Sequence, residues 1–129
     1  MTFTQIKETC VYTADLESAR QFYNGVLELP VQGYVPGKHV FFRVGSSMLL
    51  CFNPGDSRGK THPPAHHAAG KYHFALEVKP GDYESCKKRL LERGIRITDS
   101  MVWDSGQESF YFEDPFGNVL EVVPAGIWD

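Results

Sequence analysis

The chain has no run approaching the roughly 18 to 20 consecutive apolar residues that a bilayer-spanning helix requires, so no membrane partner is expected. Met1 to Lys7 lacks the apolar core of a signal peptide, which makes the cytoplasm the expected compartment. It also lacks any long Lys/Arg run. With a formal net charge of −3 and a sequence pI near 5.9, it presents no electrostatic footprint for a polyanion, and nucleic acid is not an expected partner. Cysteine is scarce and unpaired. Cys10, Cys51 and Cys86 are odd in number, widely separated and free of any CxxC spacing, so they read as reduced thiols, with Cys86 as small filler on a helix.

What is present is the composition of an ordinary globular domain: 42% apolar residues, nine Phe, six Tyr and two Trp, with mixed charge making up 22%. At 129 residues the expectation is one domain with one real core. Thr9 to Thr13 reads as a short strand. Asp15 then suits an N-cap, and Leu16, Ala19, Phe22, Tyr23, Val26 and Leu27 follow at helical spacing. Past Pro30, the stretches Val31 to Tyr34, His39 to Val44 and Met48 to Phe52 are strand-like, the last two joined by Gly45-Ser46-Ser47.

After a stretch from Pro54 to Gly70 with no regular period, the same order begins again. Tyr72 to Val78 reads as a strand, and Asp82 as the cap of a helix with apolar positions Tyr83, Cys86, Leu90 and Leu91. Gly94 stands where a helix-ending glycine belongs. Ile95 to Ile97, Ser109 to Phe112 and Val119 to Val123 supply three further strands, the last two separated by the turn Asp114-Pro115-Phe116-Gly117-Asn118. The caps Asp15 and Asp82 are 67 positions apart, and Glu8 and His73 are 65 apart, an agreement that a duplicated module explains. The expected fold is α+β: two tandem βαβββ modules, about 4–53 and 71–124, joined by loop 54–70. Their sheets are expected to form a cup-shaped, curved mixed sheet with helices on the outside.

Alternation along each strand separates a helix-packing face from a second face. Val40, Phe42 and Val44, then Phe74, Leu76 and Val78, then Leu120 and Val122 fall on the first. Glu8, Cys10 and Tyr12, His39, Phe41 and Arg43, His73 and Glu77, and Glu121 fall on the second. Taken singly, a strand histidine or a strand-end carboxylate more often serves packing or solvation than chemistry. Their coincidence on one face points to a site.

Three segments, Cys10-Val-Tyr-Thr-Ala-Asp15-Leu-Glu-Ser-Ala-Arg-Gln-Phe22-Tyr23, Tyr72-His73-Phe-Ala-Leu-Glu-Val, and Phe112-Glu-Asp114-Pro115-Phe-Gly117-Asn118-Val-Leu-Glu121, resemble the vicinal-oxygen-chelate superfamily of glyoxalases, bleomycin-resistance proteins and extradiol dioxygenases. The resemblance implies one divalent ion, Zn, Mn, Ni, Co or Fe, held by Glu8, His73 and Glu121, with Glu8 and Glu121 as the catalytic carboxylates. The family's fourth ligand position falls near Leu50, which is not a carboxylate and departs from the four-ligand pattern of glyoxalase I. An imidazole with two carboxylates suits such ions and leaves room for substrate oxygens.

Around that set, Arg43 is a candidate anchor for an anionic substrate group. Trp103, Tyr111 and Trp128 are candidates for an aromatic wall. His62, His66 and His67 are loop residues that could supply an extra ligand or a proton donor, and Cys51 approaches the site only if its strand is shifted by one residue. The leading functional expectation is a metal-dependent lyase or isomerase acting on a small molecule, by family habit a homodimer. The alternatives are an Fe(II) extradiol-type dioxygenase, whose usual two histidines and one carboxylate this chain inverts, and a metal-free binding or drug-resistance protein.

Overall fold

A computed structural model describes residues 1–65 and 67–129, and the chain divides into two units, Met1–Gly70 and Lys71–Asp129. In the first unit, β1 (Glu8–Tyr12) leads to α1 (Leu16–Arg20), which continues as a wider π-helical turn over Gln21–Val26. Then come β2 (Val31–Val35), β3 (His39–Val44), β4 (Ser47–Phe52) and a four-residue helix α2 (Pro54–Ser57). Asp15 caps α1 as expected, accepting from the Ser18 backbone N–H at 3.1 Å and its hydroxyl at 2.7 Å. In the π turn, Leu27 N–H reaches back to Phe22 O, and the extra residue per turn shifts the helical face. Phe22 and Tyr23, adjacent in sequence, are both buried there.

The sheet order is β1-β4-β3-β2, with β1 parallel to β4 and the other pairs antiparallel. Parallel neighbours need a crossover. Val11, Val40, Phe42, Leu49 and Cys51 form the buried face toward the helix, with the Tyr23 and Phe42 rings 5.4 Å apart. The stretch after β4 has no period in the sequence, yet Asn53 starts α2 by accepting from Gly55 N–H at 3.0 Å, with Pro54 in the first turn.

The second unit repeats the order: β5 (His73–Val78), a 3₁₀ turn over Pro80–Asp82, α3 (Tyr83–Glu92), β6 (Asp99–Val102), β7 (Glu108–Glu113) and β8 (Val119–Pro124). Its sheet runs β5-β8-β7-β6, again with one parallel pair, β5 with β8. The fold class is therefore α+β with two four-stranded mixed sheets, as the sequence pattern implies. Among the described residues, no helix is long and apolar enough to cross a membrane.

Three local expectations for this unit are corrected. Ile95 to Ile97 is not a strand, because the chain there still closes the helix. Gly94, at φ 82°, lets Ile95 N–H reach Leu90 O and Gly94 N–H reach Leu91 O, so strand pairing begins only near Thr98. Asp82 precedes α3 without a side-chain cap, since the 3₁₀ turn from Pro80 already delivers the chain into the helix. Leu91 is half exposed: Tyr83, Cys86 and Leu90 define the inward stripe, and Leu91 lies one position beyond it.

A polar clamp fastens α3 to the sheet. The Tyr83 hydroxyl donates to Glu108 Oε1 at 3.0 Å, and Lys87 Nζ lies 2.8 Å from the same oxygen. Burial, followed by the Glu108 hydrogen bond, pushes the Tyr83 phenol well above its ordinary value. Tyr83→Phe should cost about 1 kcal/mol of unfolding free energy at neutral pH. A raised folded pKa means the contribution is whole below the ordinary tyrosine value of about 10 and disappears as pH rises through the folded value. Urea unfolding above about pH 10 should therefore show wild type losing its advantage over the variant, and a constant difference across that range would contradict the clamp.

Candidate functional site

The site is built on β5, β7 and β8, and the turn that starts β8 sets its frame. Asp114 Oδ1 accepts from the backbone N–H groups of Phe116 at 2.9 Å and Asn118 at 2.8 Å, while Oδ2 accepts from Asn118 Nδ2 at 2.7 Å. Gly117 supplies the positive φ of 84° that the reversal needs. Asn118 Oδ1 then accepts from Tyr72 N–H at 2.9 Å, tying this turn to the residue just before β5. Asp114 and Asn118 are both buried. The turn composition is legible in the sequence, but its reach to the start of β5 is not.

From that frame, β5 and β8 run parallel with Ala75 beside Glu121 and His73 beside Val119, and β7 places Tyr111 on the other flank of Glu121. His73 Nδ1 lies 2.9 Å from Val119 O. A carbonyl oxygen only accepts, so Nδ1 carries the proton and donates it, and in the neutral ring Nε2 is left with a bare lone pair. That Nε2 stands 3.4 Å from Glu121 Oε2. The Glu121 side chain is buried, with 7% of its surface accessible, whereas that of His73 is 52% accessible.

Behind Glu121 is a second fixed chain of donors. Its Oε1 lies 2.6 Å from Ser109 Oγ, and Trp103 Nε1 lies 3.0 Å from the same hydroxyl oxygen. An indole N–H only donates, so Ser109 accepts from Trp103 and spends its own hydrogen on Glu121. Tyr111 flanks the carboxylate: burial first, then its hydrogen bond to Glu121 and that group's charge, push its phenol pKa up against a smaller opposing bond with Ser109. The His73 and Tyr111 rings are 6.2 Å apart. Sequence reasoning does not single out Ser109. Its one signal is a serine between Glu108 and Phe110 in an aromatic strand, at a position that proves fully buried.

The remaining expected residues are distributed as follows. Glu8 and Arg43 are both in the first unit, on strands that flank β4 and in register with Met48 from either side, so they share the face opposite the helix. Leu50 is beside Cys10 and Phe41, in the register position that Glu121 holds beside Ala75 and Tyr111. Cys51 is beside Val11 and Val40 on the helix-packing face, and there is no shift that would turn it round. Trp128 is 86% exposed with its ring 6.3 Å from that of Trp103. His62 and His67 are exposed, and His66 lies outside the described residues.

Among the described residues, no three His, Cys, Asp or Glu side chains group as ligands for one ion. The His73 and Glu121 pair nonetheless fits two positions of a ligand shell. Donors at about 2.0 to 2.2 Å from one ion lie about 2.8 to 3.1 Å apart at a right angle and about 3.3 to 3.6 Å apart at the tetrahedral angle. The observed 3.4 Å falls in the second range. An imidazole lone pair fixed by a bond at its other nitrogen, facing a carboxylate oxygen, is also the donor chemistry that such ions take.

A repeated βαβββ unit with a parallel outer pair and polar side chains on its first and last strands defines the class to which the chain belongs. The chain is a member of the Glyoxalase/Bleomycin resistance protein/Dioxygenase superfamily, whose family model matches residues 5–122. It is similar to a solved structure described as lactoylglutathione lyase from Agrobacterium tumefaciens, at 33% identity, with 98% of each chain covered and a TM-score of 0.91. A glyoxalase/bleomycin resistance protein/dioxygenase from Nocardioides shares 24% identity over 98% of this chain and 87% of its own, with a TM-score of 0.73. An integron cassette protein from V. cholerae shares the fold at 21% identity, with 98% of each chain covered and a TM-score of 0.76. No curated protein matches the chain.

Asn118→Ala removes the link between the β8 turn and Tyr72 and the bond from Asn118 Nδ2 to the buried Asp114 Oδ2. It should cost about 1 to 3 kcal/mol in chemical denaturation. In amide exchange the loss of protection should concentrate at Tyr72 and His73. A uniform loss over the unit would show that Asn118 does not specifically hold the start of β5.

Proposed function

We propose that the chain is a glyoxalase-like, metal-dependent lyase or isomerase acting on a small oxygen-bearing metabolite. His73 and Glu121 are two ligands of its divalent ion, and Glu8 is a third on the strength of the family resemblance. The observation that carries the reading is His73 Nε2 set 3.4 Å from Glu121 Oε2, with His73 Nδ1 donating to Val119 O and Ser109 donating to Glu121 Oε1 behind them. Two electron-rich atoms held face to face call for a cation or a proton between them. The similarity at 33% identity to a protein described as lactoylglutathione lyase favours the lyase or isomerase class.

A bound Zn, Mn, Ni, Co or Fe ion would supply positive charge beside a substrate carbonyl and so stabilise negative charge developing on its oxygen. The chain's own carboxylates do the proton work in this reading. Glu8 and Glu121 are its catalytic carboxylates: a carboxylate oxygen not engaged by the ion accepts a proton from the carbon next to the carbonyl and returns it, while Glu121 Oε1 stays engaged by Ser109. Glu8 is the second acid–base group. Arg43 anchors an anionic part of the substrate, and Tyr111, kept neutral by burial and by Glu121, offers a hydroxyl donor. The Trp103 ring is a candidate wall for the substrate. A cytoplasmic homodimer completes the proposal.

A second reading, a metal-free binding or resistance protein, draws on the family description, which includes bleomycin resistance proteins. Elemental analysis of protein purified without chelator separates the two. The enzyme reading expects about one divalent ion per chain, lost in His73→Ala and in Glu121→Ala, with conversion of a glutathione hemithioacetal to its lactoyl thioester as the first activity to assay. Metal-free wild type, or variants that keep their metal, would leave the binding protein as the surviving reading.

A further inference from the structure

We propose that Ser109 and Trp103 are positioning residues that aim the Glu121 carboxylate at the ion, an inference that rests on the metal-dependent reading above. Trp103 then serves through its polar edge: the indole N–H fixes a serine, and the serine fixes the ligand.

Direction is settled by donor chemistry at each link. Trp103 Nε1–H has no acceptor capacity, so at 3.0 Å it occupies a lone pair of Ser109 Oγ and turns the hydroxyl hydrogen toward Glu121 Oε1, 2.6 Å away. A hydroxyl in water swings freely among acceptors, but this one is fully buried and has its orientation imposed. Glu121 keeps Oε1 for Ser109 and presents Oε2 to His73. At 2.6 Å the bond lies at the short end of the range for a hydroxyl donating to a carboxyl oxygen.

The indole is itself held in place by the chain around it. Trp103 N–H donates to Gln107 O at 2.9 Å, and Gly106 N–H donates to Trp103 O at 2.8 Å, closing the β6–β7 connection. The Gln107 side chain then donates to Ala125 O at 3.1 Å, just past the end of β8. The indole and the carboxylate are thus referred to the same strand from two directions. Tyr111 is the competing donor. With Ser109 removed, the phenol is the group left to bond Glu121, and it approaches from a different residue row on β7.

The test measures binding of Zn²⁺ and Co²⁺ alone, by chelator competition, to the full chain and its variants, with thermal unfolding of the metal-free proteins alongside. Ser109→Ala should weaken both ions by about 10- to 100-fold, and Ser109→Thr, which restores the hydroxyl, should return within about 3-fold of wild type. Trp103→Phe keeps a ring but frees the serine hydroxyl, so it should weaken binding by several-fold at least. It also decides the matter if Ser109→Ala fails to fold.

Stoichiometric wild-type binding with unchanged affinity in Ser109→Ala and Trp103→Phe would overturn the positioning role and leave the metal site standing. A Ser109→Thr protein as weak as Ser109→Ala would overturn it too, by assigning the effect to packing. If wild type binds neither ion, the functional reading fails and this inference fails with it.

Discussion

His73 Nε2 and Glu121 Oε2 face each other at 3.4 Å with no hydrogen required between them by the surrounding bonds. In water two such side chains would rotate apart and each take its own hydration. Here the bond from His73 Nδ1 to Val119 O and the bond from Ser109 to Glu121 Oε1 hold both in place. The cost of that arrangement is desolvation of a nearly buried carboxylate, which the hydrogen bonds from Ser109 and Tyr111 offset in part and positive charge in the gap would offset further. Much of the second unit reads as support for this pair. The Asp114–Asn118 turn sets where β5 begins against β8, and the parallel register then brings the two residues to the same face of the sheet.

The two units share a sheet order but differ in what they place at the equivalent row. In the first it is Cys10, Leu50 and Phe41; in the second it is Ala75, Glu121 and Tyr111. Parallel pairing of the outer strand with the last one demands a helical crossover in both, so the backbone plan survives independently of the side chains on the free face. That independence is what permits one copy to carry an apolar row and the other a row with a carboxylate and a phenol. The first unit adds an aromatic set on the same face: His39 stacks on Phe41 at 4.1 Å, and Phe52 meets Phe41 edge-on at 5.4 Å.

Strand faces are readable from the sequence because period-two alternation depends only on each strand's own residues. His73 and Glu121 can therefore be assigned to one face before their register is known. Register itself is not readable, and Ser109 escapes for that reason: its importance lies in which cross-strand atom it meets. The position of β6 is hidden because all four of its residues, Asp99 to Val102, are exposed and carry no alternation, whereas Ile95 and Ile97 mimic a strand while completing the helix end. The π turn in the first helix leaves no mark either, since Phe22 and Tyr23 satisfy an ordinary helical pattern about as well. Glu8 is where the sequence argument reaches furthest: the structure starts β1 at it, on the face opposite the helix, while its role as ligand is carried by family resemblance.

The proposed ligand set, with Leu50 where the resemblance would put a fourth ligand, has fewer charged donors than the four-ligand pattern of glyoxalase I. Each remaining donor must then contribute more, and a carboxylate contributes more when its free rotation is removed beforehand. Ordering a glutamate side chain on binding costs up to about 2 kcal/mol of rotamer entropy. A buried serine whose hydroxyl direction is already dictated by an indole N–H removes part of that cost in the folded protein, before any ion arrives. On this argument a sparse ligand set and a rigid support behind it belong together, because losing one donor raises the value of having the others correctly aimed in advance.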